Sequence, residues 1–297
     1  MQLFLIISFL LFSGGISAKT VKLNSLNPAR KAAKLFLPRA YKKQEKWPLI
    51  ISMHGYGGSG ALQKFYIRLK HFQNQRGFML LIPNGLEDPK GKGHWNASEY
   101  CCDFWKKGVD DVGYIKSLID RIRNDPKLGR LDEDRIFVLG YSNGGFMAKK
   151  IACGNEIKVA GIVSISGTSD LRDASGELIA PEQNFCQHQR AIPILHIHGT
   201  EDQTIKYGGF DNQKTGHLGA LEYLKRWGQQ NQCRGGMLKS RKKVNATNFR
   251  KGKETEHFVM QECLAPVEHF RVEKGAHFML YKKSFVARVL DFLSLSN

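Results

Sequence analysis

The chain of 297 residues lacks internal repeats, low-complexity stretches and any Pro/Ser-rich linker. Their absence argues against a repeat array or a string of tethered domains. Loss of residues 1–18 as a leader would leave 279 residues (297 minus 18). That length suits one α/β domain with a large core, so we expect a single domain over residues 19–297.

Charged residues are absent from the first 18 positions, and no later segment has an apolar run of transmembrane length. Leu, Ile and Phe dominate positions 3–12, and small residues over 14–18 end at Ala18. This pattern predicts a signal peptide cleaved after Ala18, although its first residues include no Lys or Arg. We therefore expect a secreted or periplasmic protein without a transmembrane segment.

Acidic residues are few, since 27 Asp and Glu stand against 45 Lys and Arg, for a net charge of +18. The basic residues are densest in one cluster: Lys239, Arg241, Lys242, Lys243, Arg250, Lys251 and Lys253. Such a surface favours anionic polymers, so an anionic polysaccharide or envelope surface is a candidate partner. Nucleic acid is not expected, because no nucleic-acid module and no interleaved aromatics occur. A solvated basic face is the alternative.

Six cysteines in a chain expected to be exported predict disulfide bonds. Cys233 and Cys263 flank the basic cluster, and we expect them to close that segment. The other two bonds join the four remaining cysteines: Cys101, Cys102, Cys153 and Cys186. We expect the adjacent Cys101 and Cys102 to take different partners. A bond at Cys153, which follows a helix-like stretch, would brace the turn before that stretch.

Short apolar runs typical of buried strands alternate with helix-like segments, at 49–53, 78–82, 135–139, 159–165, 192–198 and 267–272. The clearest helix covers Val109–Arg123, where apolar residues recur at helical spacing. Asp110 and Asp111 lie at its start, where carboxylates satisfy free N–H groups, so we interpret them as structural rather than as an acid–base pair. The alternation predicts an α/β fold with a mostly parallel central sheet and helices on both faces.

The motif Gly140-Tyr141-Ser142-Asn143-Gly144 follows a predicted strand and precedes a helix-like stretch, Phe146 to Ala152. A serine at a sharp strand-to-helix turn is held in strained backbone geometry, with its hydroxyl exposed above the sheet. Flanking glycines fit such a turn because side chains there would collide. The pattern predicts Ser142 as a nucleophile. A Gly-rich loop with a surface serine is the alternative.

The partners of such a serine are expected downstream, the acid first and the histidine last. Asp202 lies just past the fifth predicted strand, at the sheet edge where α/β proteins bind ligands. Glu201 is the competing carboxylate, and a simple Asx-turn is the structural alternative. His277 follows the last predicted strand and precedes a closing helix predicted over Ser284–Leu295. We therefore predict Ser142, Asp202 and His277 as a catalytic triad.

His196 and His198 share one face of the fifth predicted strand and form an alternative metal pair. No Cys, Asp or Glu nearby completes a zinc-like spacing, so we expect no metal and no other cofactor.

Hydrolysis by a serine also requires two backbone N–H donors for the oxyanion. The residue after the nucleophile, Asn143, supplies one of them in this kind of turn. The other is expected in the Gly-rich loop His54–Gly58, which follows the first predicted strand. We predict the Tyr56 N–H for this position.

Together these stretches resemble the secreted esterase family that groups polyhydroxybutyrate depolymerases with feruloyl and acetylxylan esterases, all α/β-hydrolases. The matching segments occur in order along most of the chain: Pro48–Gly58, Val109–Ile115, Gly140–Gly145, His198–Asp202 and Gly275–His277. The resemblance implies the same triad. The family usually continues its histidine loop with Thr-Trp-Pro, whereas this chain has Phe278-Met279-Leu280. That departure concerns substrate preference rather than the base.

We therefore predict an exported serine carboxylic ester hydrolase that works through an acyl-enzyme. Its expected substrates are feruloyl or acetyl esters of polysaccharide, or hydroxyalkanoate esters, free or polymer-linked. Trp95, Tyr100 and Trp105 lie in a loop that could offer stacking surface to an aromatic acyl group or a sugar, with packing as the alternative. A serine peptidase of the same fold and a non-catalytic basic binding protein are the alternative functions.

Overall fold

The computed structural model describes residues 19–295 except 45, 99, 181–184, 187–189, 242 and 249–251. The predicted leader, residues 1–18, lies outside the described residues. The strands are β1 (Thr20–Leu23), β2 (Ala33–Phe36), β3 (Trp47–Met53), β4 (Met79–Ile82), β5 (Leu86–Glu87), β6 (Gly93–His94), β7 (Leu131–Tyr141), β8 (Gly161–Ile165), β9 (Ile194–Gly199), β10 (Phe210–Asp211), β11 (Gly216–His217), β12 (Met237–Lys239), β13 (Thr255–Met260) and β14 (Val267–Val272).

Ten of these strands form one sheet, in the order β1-β2-β4-β3-β7-β8-β9-β14-β13-β12. The central strands from β4 to β14 pair in parallel. The pairs at both sides, β1–β2, β2–β4, β14–β13 and β13–β12, are antiparallel. The parallel strands end at one edge of the sheet, so the loops that follow them come together there. Two short antiparallel ribbons, β5–β6 and β10–β11, lie outside the sheet.

The helices cover both faces of the sheet. They are α1 (Gly60–Ile67), α2 (Gln73–Arg76), α3 (Asp111–Asn124), α4 (Asn143–Cys153), α5 (Ala220–Gln230) and α6 (Lys283–Phe292). Side chains alternate across a strand, so Leu49 and Ile51 of β3 join the core under α3, α4 and α5. Ile50, between them, faces the core formed with α1 and α6. The predicted parallel sheet with helices on both faces is therefore confirmed.

All six predicted strands are present, and the predicted helices occur as α3, α4 and α6 with slightly shifted ends. Sequence patterns missed β13 and the four short ribbon strands. They also missed the outer strands β1, β2 and β12, each only three or four residues long. Their burial is mixed, since one face of an outer strand meets solvent, so they lack the continuous apolar runs of the centre. In the described part of the chain, no helix is both long and apolar enough to cross a membrane.

The two acidic residues at the start of α3 have structural contacts, as predicted. Asp110 is the N-cap, and its side chain accepts a 2.7 Å hydrogen bond from the Gly113 N–H. Asp111 is buried and forms an ion pair with Arg30 at 2.7 Å. Burial raises the pKa of Asp111, while the Arg30 guanidinium opposes that rise. The Asp111 carboxylate also accepts the Asn96 N–H at 2.7 Å, which ties α3 to the loop over the sheet edge.

Candidate active site

Ser142 occupies the sharp turn between β7 and α4. Its backbone has φ 54° and ψ −121°, a left-handed conformation that a side-chain-bearing residue adopts only under constraint. The constraint comes from tight packing of glycine backbones around the turn. A methyl group on Gly140 would lie 1.9 Å from the Gly144 carbonyl oxygen, and one on Gly144 would lie 2.5 Å from the Met53 carbonyl oxygen. Only glycine therefore fits at either position.

The structure brings the three predicted triad side chains into one hydrogen-bonded chain. His277, on the loop after β14, has its Nε2 2.9 Å from Ser142 Oγ and its Nδ1 2.7 Å from Asp202 Oδ2. Because a carboxylate only accepts, Nδ1–H donates to Asp202, which leaves Nε2 to accept the serine proton. The His277 ring also lies against Tyr141, with ring centroids 5.2 Å apart.

Asp202 is buried and holds its carboxylate in place with both oxygens. Oδ1 accepts the backbone N–H groups of Thr204 and Ile205, each at 2.9 Å. Oδ2 is shared by His277 and His198, the latter with its Nε2 3.2 Å away. Burial by itself would raise the pKa of Asp202, but the hydrogen bonds from His198 and His277 outweigh it and hold that pKa well below its usual range. The carboxylate is therefore ionised at neutral pH.

The competing carboxylate, Glu201, is exposed and makes no contact with a histidine among the described residues. Its backbone N–H donates to the Gly275 carbonyl, so the residue serves to join the two loops that carry Asp202 and His277. Asp202 and not Glu201 is thus the carboxylate that the fold presents to the histidine.

The two histidines of β9 are part of a buried ring cluster. His198 Nε2 contacts the Ile205 carbonyl at 2.7 Å as well as Asp202, a role that the sequence did not suggest. The His196 ring stacks on that of His269, with centroids 5.2 Å apart. Burial lowers the pKa of His196 well below its ordinary value, helped by its histidine neighbours. Within the described residues, no three His, Cys, Asp or Glu side chains are grouped as metal ligands.

Asn143 directly follows Ser142 and Tyr56 lines the same cavity, while their role as oxyanion donors stays a prediction. Asn143 is the first residue of α4, where backbone N–H groups lack partners within the helix. Gly55, just before Tyr56, runs against the nucleophile, because a methyl group there would lie 3.1 Å from Ser142 Cβ. The Asn143 side chain has a further contact that the sequence did not reveal. Its Oδ1 accepts the Trp95 N–H at 2.8 Å, and its Nδ2 donates to the Trp95 carbonyl at 2.9 Å.

A cavity of about 700 Å³ opens in front of Ser142. Of the three aromatic residues predicted to contact substrate, Tyr100 lines this cavity. The prediction for Trp95 is wrong, because the side chain is fully buried and its Nε1 donates to the His54 carbonyl at 2.8 Å. Trp105 is not among the lining residues, and its neighbour Phe104, which is 59% exposed, takes that place. Periodicity could not distinguish these aromatics, because the loop has no regular structure.

Three disulfides are present among the described residues, and none of the six cysteines is free. Cys233 pairs with Cys263, as predicted. The expectation that Cys101 and Cys102 take different partners is wrong, since they bond to each other. The reason is the chain path: the end of α4 brings Cys153 to Cys186, with Cα atoms 4.3 Å apart, and the adjacent pair lies elsewhere, in the cavity wall. The bond expected at Cys153 therefore runs from the end of α4 to Cys186, and its effect on the serine turn stays a prediction.

Some members of the basic cluster flanked by Cys233 and Cys263 are engaged in contacts with an acidic side chain. Lys239 ion-pairs with Glu256, and Lys243 approaches the same carboxylate at 3.5 Å. Arg241 and Lys253 are exposed. The remaining members of the cluster, Lys242, Arg250 and Lys251, lie outside the described residues.

Comparison with known proteins gives consistent matches. A model of the phospholipase/carboxylesterase family matches residues 40–224, more than half of the chain. Feruloyl esterase B of Piromyces equi is 26% identical over 203 residues, 67% of this chain and 35% of that protein. The putative esterase NocK of Nocardia uniformis subsp. tsuyamanensis is 26% identical over 172 residues, 58% of this chain and 45% of that protein. The chain thus spans between a third and a half of the length of these curated relatives.

Solved structures show the same fold. The acetyl xylan esterase from Aspergillus awamori superimposes with a TM-score of 0.62 at 16% identity, covering 94% of this chain and 100% of that one. The esterase Est2 from Thermogutta terrifontis gives a TM-score of 0.53 at 16% identity, covering 94% of this chain and 89% of that one. Identities this low show the fold alone. With the family match over residues 40–224, they lead to one conclusion: the chain belongs to the phospholipase/carboxylesterase family of α/β-hydrolases.

Proposed function

We propose that the protein is a carboxylic ester hydrolase in which Ser142 is the nucleophile, His277 the general base and Asp202 the residue that orients the base. One observation carries this proposal. Asp202, His277 and Ser142 are joined by hydrogen bonds of 2.7 and 2.9 Å at a cavity that could receive an ester. The family of the chain, phospholipases and carboxylesterases, supports the same reaction type.

In the proposed reaction, Ser142 Oγ attacks the ester carbonyl carbon while its proton passes to His277 Nε2. Asp202 keeps Nδ1 protonated and stabilises the imidazolium that forms. The backbone N–H groups of Tyr56 and Asn143 donate to the oxyanion of the tetrahedral intermediate. His277 then gives its proton to the departing alcohol, and an acyl-enzyme remains. Water, deprotonated by the same histidine, hydrolyses it. No cofactor or metal enters these steps.

The proposed substrates are feruloyl or acetyl esters of polysaccharide, with hydroxyalkanoate esters as the second candidate. Two relatives named for such activities, a feruloyl esterase and an acetyl xylan esterase, support the first group. The cavity of about 700 Å³ is far larger than an acetyl group and has room for a ring-bearing one. An amide substrate would indicate the peptidase alternative.

We further propose that the protein is exported, after cleavage behind Ala18, as a single domain over residues 19–297. The three disulfides support export, because such bonds persist in oxidising compartments. An anionic polysaccharide or envelope surface is the proposed partner of the basic cluster.

The decisive test replaces Ser142 with alanine. Ser142→Ala should lower kcat on a soluble ester on the order of 10⁶-fold while the fold is retained, because it removes the nucleophile and little volume. Ser117→Ala, the same change on the exposed face of α3, is the matched control and should leave kcat unchanged. A fluorophosphonate probe should label Ser142 in the wild type, as located by peptide mass spectrometry. Retained turnover or labelling of another residue would refute the assignment.

A substrate panel separates the remaining alternatives. Methyl ferulate, acetylated xylan, a hydroxybutyrate oligomer and a matched peptide amide should be compared by kcat/KM. Ester turnover without amide turnover is the expected result. Comparable hydrolysis of the amide would favour the peptidase, and no turnover of any member would favour the binding protein.

A further inference from the structure

The Cys101–Cys102 disulfide lies in the wall of the cavity in front of Ser142. Both cysteines line this cavity together with the serine, and both are otherwise almost fully buried, at 3% and 4% exposure. The bond places two polarisable sulfur atoms without donor hydrogens in the wall, a surface that packs well against rings. A group that extends to this part of the cavity therefore meets Cys101 and Cys102.

The bond differs from the other two disulfides in what it can stabilise. Cys153–Cys186 and Cys233–Cys263 join residues 33 and 30 positions apart, whereas Cys101–Cys102 joins neighbours. The entropy that a disulfide removes from the unfolded chain grows with the length of the loop it closes. A bond between adjacent residues closes no such loop. Its effect is therefore on the local conformation of the cavity wall rather than on global stability.

The surrounding backbone is held at several points on either side of the bond. The Ser98 N–H donates to the Cys101 carbonyl at 2.7 Å, and the Cys101 N–H donates to Ser98 Oγ at 3.0 Å. The Tyr100 N–H reaches Asp170 Oδ1 at 3.3 Å. The Asp103 side chain accepts two backbone N–H groups farther along the loop, at 2.8 and 2.6 Å. The disulfide adds a covalent restraint between Cys101 and Cys102 to these hydrogen bonds.

Two aromatic side chains flank the disulfide, and the ring of one of them, Tyr100, also packs against Phe146, Phe210 and His217. Tyr100 precedes the bond and Phe104 follows it, and both line the cavity. The Phe104 ring meets Tyr56 edge to face, with centroids 5.4 Å apart. Tyr56 is in turn held by its hydroxyl, which donates to Asp88 at 2.6 Å. A shift of the backbone at Cys101–Cys102 would therefore move the aromatic walls on both sides of it.

We propose that the Cys101–Cys102 disulfide determines the specificity of the cavity: it holds Tyr100 and Phe104 apart at the spacing that admits a ring-bearing group of the ester. This inference rests on the proposed function of Ser142. An ester whose acyl and alcohol parts are both small fills little of the cavity, so we expect its hydrolysis to depend less on the bond.

The test compares three esters in Cys101→Ser/Cys102→Ser: methyl acetate, methyl 4-hydroxycinnamate with an aromatic acyl group, and phenyl acetate with an aromatic alcohol. Each aromatic ester is expressed relative to methyl acetate, and this ratio is compared between the variant and wild type, so that differences in intrinsic reactivity cancel. A lost methylene-sized contact changes kcat/KM by about 10- to 200-fold. We therefore expect the relative kcat/KM of at least one aromatic ester to fall about tenfold or more, mainly through KM. The value for methyl acetate should fall by less than that, because this ester has no ring to place between Tyr100 and Phe104.

The matched control is Cys233→Ser/Cys263→Ser, which removes a disulfide distant from the cavity. It should lower Tm and leave the ester preferences unchanged. The Cys101→Ser/Cys102→Ser variant should instead keep the Tm of wild type and change the ester preferences. Cys101→Ala/Cys102→Ala, which introduces no hydroxyls, should give the same preferences as the serine pair.

Several outcomes would overturn the proposal. One is that the Cys101/Cys102 variants keep the ester preferences of wild type, or lose kcat/KM equally for all three esters. Another is that the Cys233/Cys263 control shows a similar change in preference. The last is that both Cys101/Cys102 variants fail to fold. If wild type hydrolyses none of the three esters, or Ser142→Ala hydrolyses them all, the proposed function itself fails instead.

Discussion

At the scale of single residues, the carboxylate of Asp202 is the most constrained group in the site. Two backbone N–H groups hold one oxygen, and two histidines share the other. His198 is a positioning residue in this arrangement, because it contacts Asp202 and not Ser142. A carboxylate restrained on four sides cannot rotate away from His277, and its low pKa keeps it ionised in weak acid.

Asp202→Asn should lower kcat by about 10⁴-fold, because an amide at this position favours the wrong tautomer of His277. The matched control is Glu201→Gln, one residue earlier on the same loop and exposed to solvent, which should change kcat by less than about twofold. Both variants are measured on one soluble ester with thermal unfolding recorded in parallel. If the two effects were exchanged, Glu201 would be the acid.

At the scale of elements, the start of α3 contacts the loop that lies beside the candidate active site. Arg30, in the segment between β1 and β2, reaches the buried carboxylate of Asp111, and its guanidinium also lies 4.0 Å from the centre of the Tyr114 ring. The same carboxylate holds the backbone of Asn96, one residue from the Trp95 peptide that Asn143 clasps. A helix start thus positions the loop beside the nucleophile.

Asp111→Asn should reduce the free energy of unfolding by about 3–5 kcal/mol, because it leaves the Arg30 guanidinium buried without a charge partner. Asp110→Asn is the same chemical change one residue away, and it should cost less than about 0.5 kcal/mol, since Asn is as good an N-cap as Asp. Urea titration at neutral pH measures both. Equal losses would contradict a special role for the Arg30–Asp111 pair.

At the scale of the whole molecule, buried histidines make the fold sensitive to acid. Burial lowers the pKa of His54 to about 4 and that of His269 to about 3, and it lowers the pKa of His196 strongly as well. In the unfolded chain these side chains take up protons below about pH 6.5. The unfolded state then binds more protons than the folded state, so stability is retained above that pH and declines below it.

We expect the free energy of unfolding to fall as the pH is lowered from about 6.5 to about 4, by up to about 1.4 kcal/mol per pH unit for each such histidine. His196→Leu should make the dependence of the unfolding free energy on pH shallower by the equivalent of about one proton, because it removes one histidine whose pKa burial lowers. The exposed His71→Gln is the control and should leave the slope unchanged. A slope in His196→Leu equal to wild type would contradict the argument.

The charge of the molecule gives a second prediction at this scale. Lys239 and Lys243 are occupied by Glu256, so the exposed Arg241 and Lys253 are the better probes of the basic cluster. Arg241→Gln/Lys253→Gln should weaken retention on an anionic polysaccharide, and added salt should reduce the difference from wild type. Turnover of a small neutral ester should not change.

The control for this prediction is Lys22→Gln/Lys34→Gln, which removes the same charge from β1 and β2 at the opposite side of the sheet. Equal weakening by both variants would indicate that net charge, rather than the cluster, governs retention.

The sequence by itself determined the central architecture. The apolar runs that became β3, β4, β7, β8, β9 and β14 are continuous because a parallel strand is buried on both faces, and that signal is local. It also predicted the positions of Ser142, Asp202 and His277, because each follows a strand at the same edge of the sheet. The structure brings the three together, and their roles stay a prediction for the variants above to test.

Only the tertiary structure decided which neighbours in an irregular loop face inward. Trp95 is buried while Phe104 lines the cavity, and the adjacent Cys101 and Cys102 bond to each other. The contact of His198 with Asp202 and the clasp of Asn143 on Trp95 were likewise invisible in the sequence. Periodicity records which residues lie on one face of a regular element, whereas these contacts depend on where a loop without regular structure crosses distant parts of the chain.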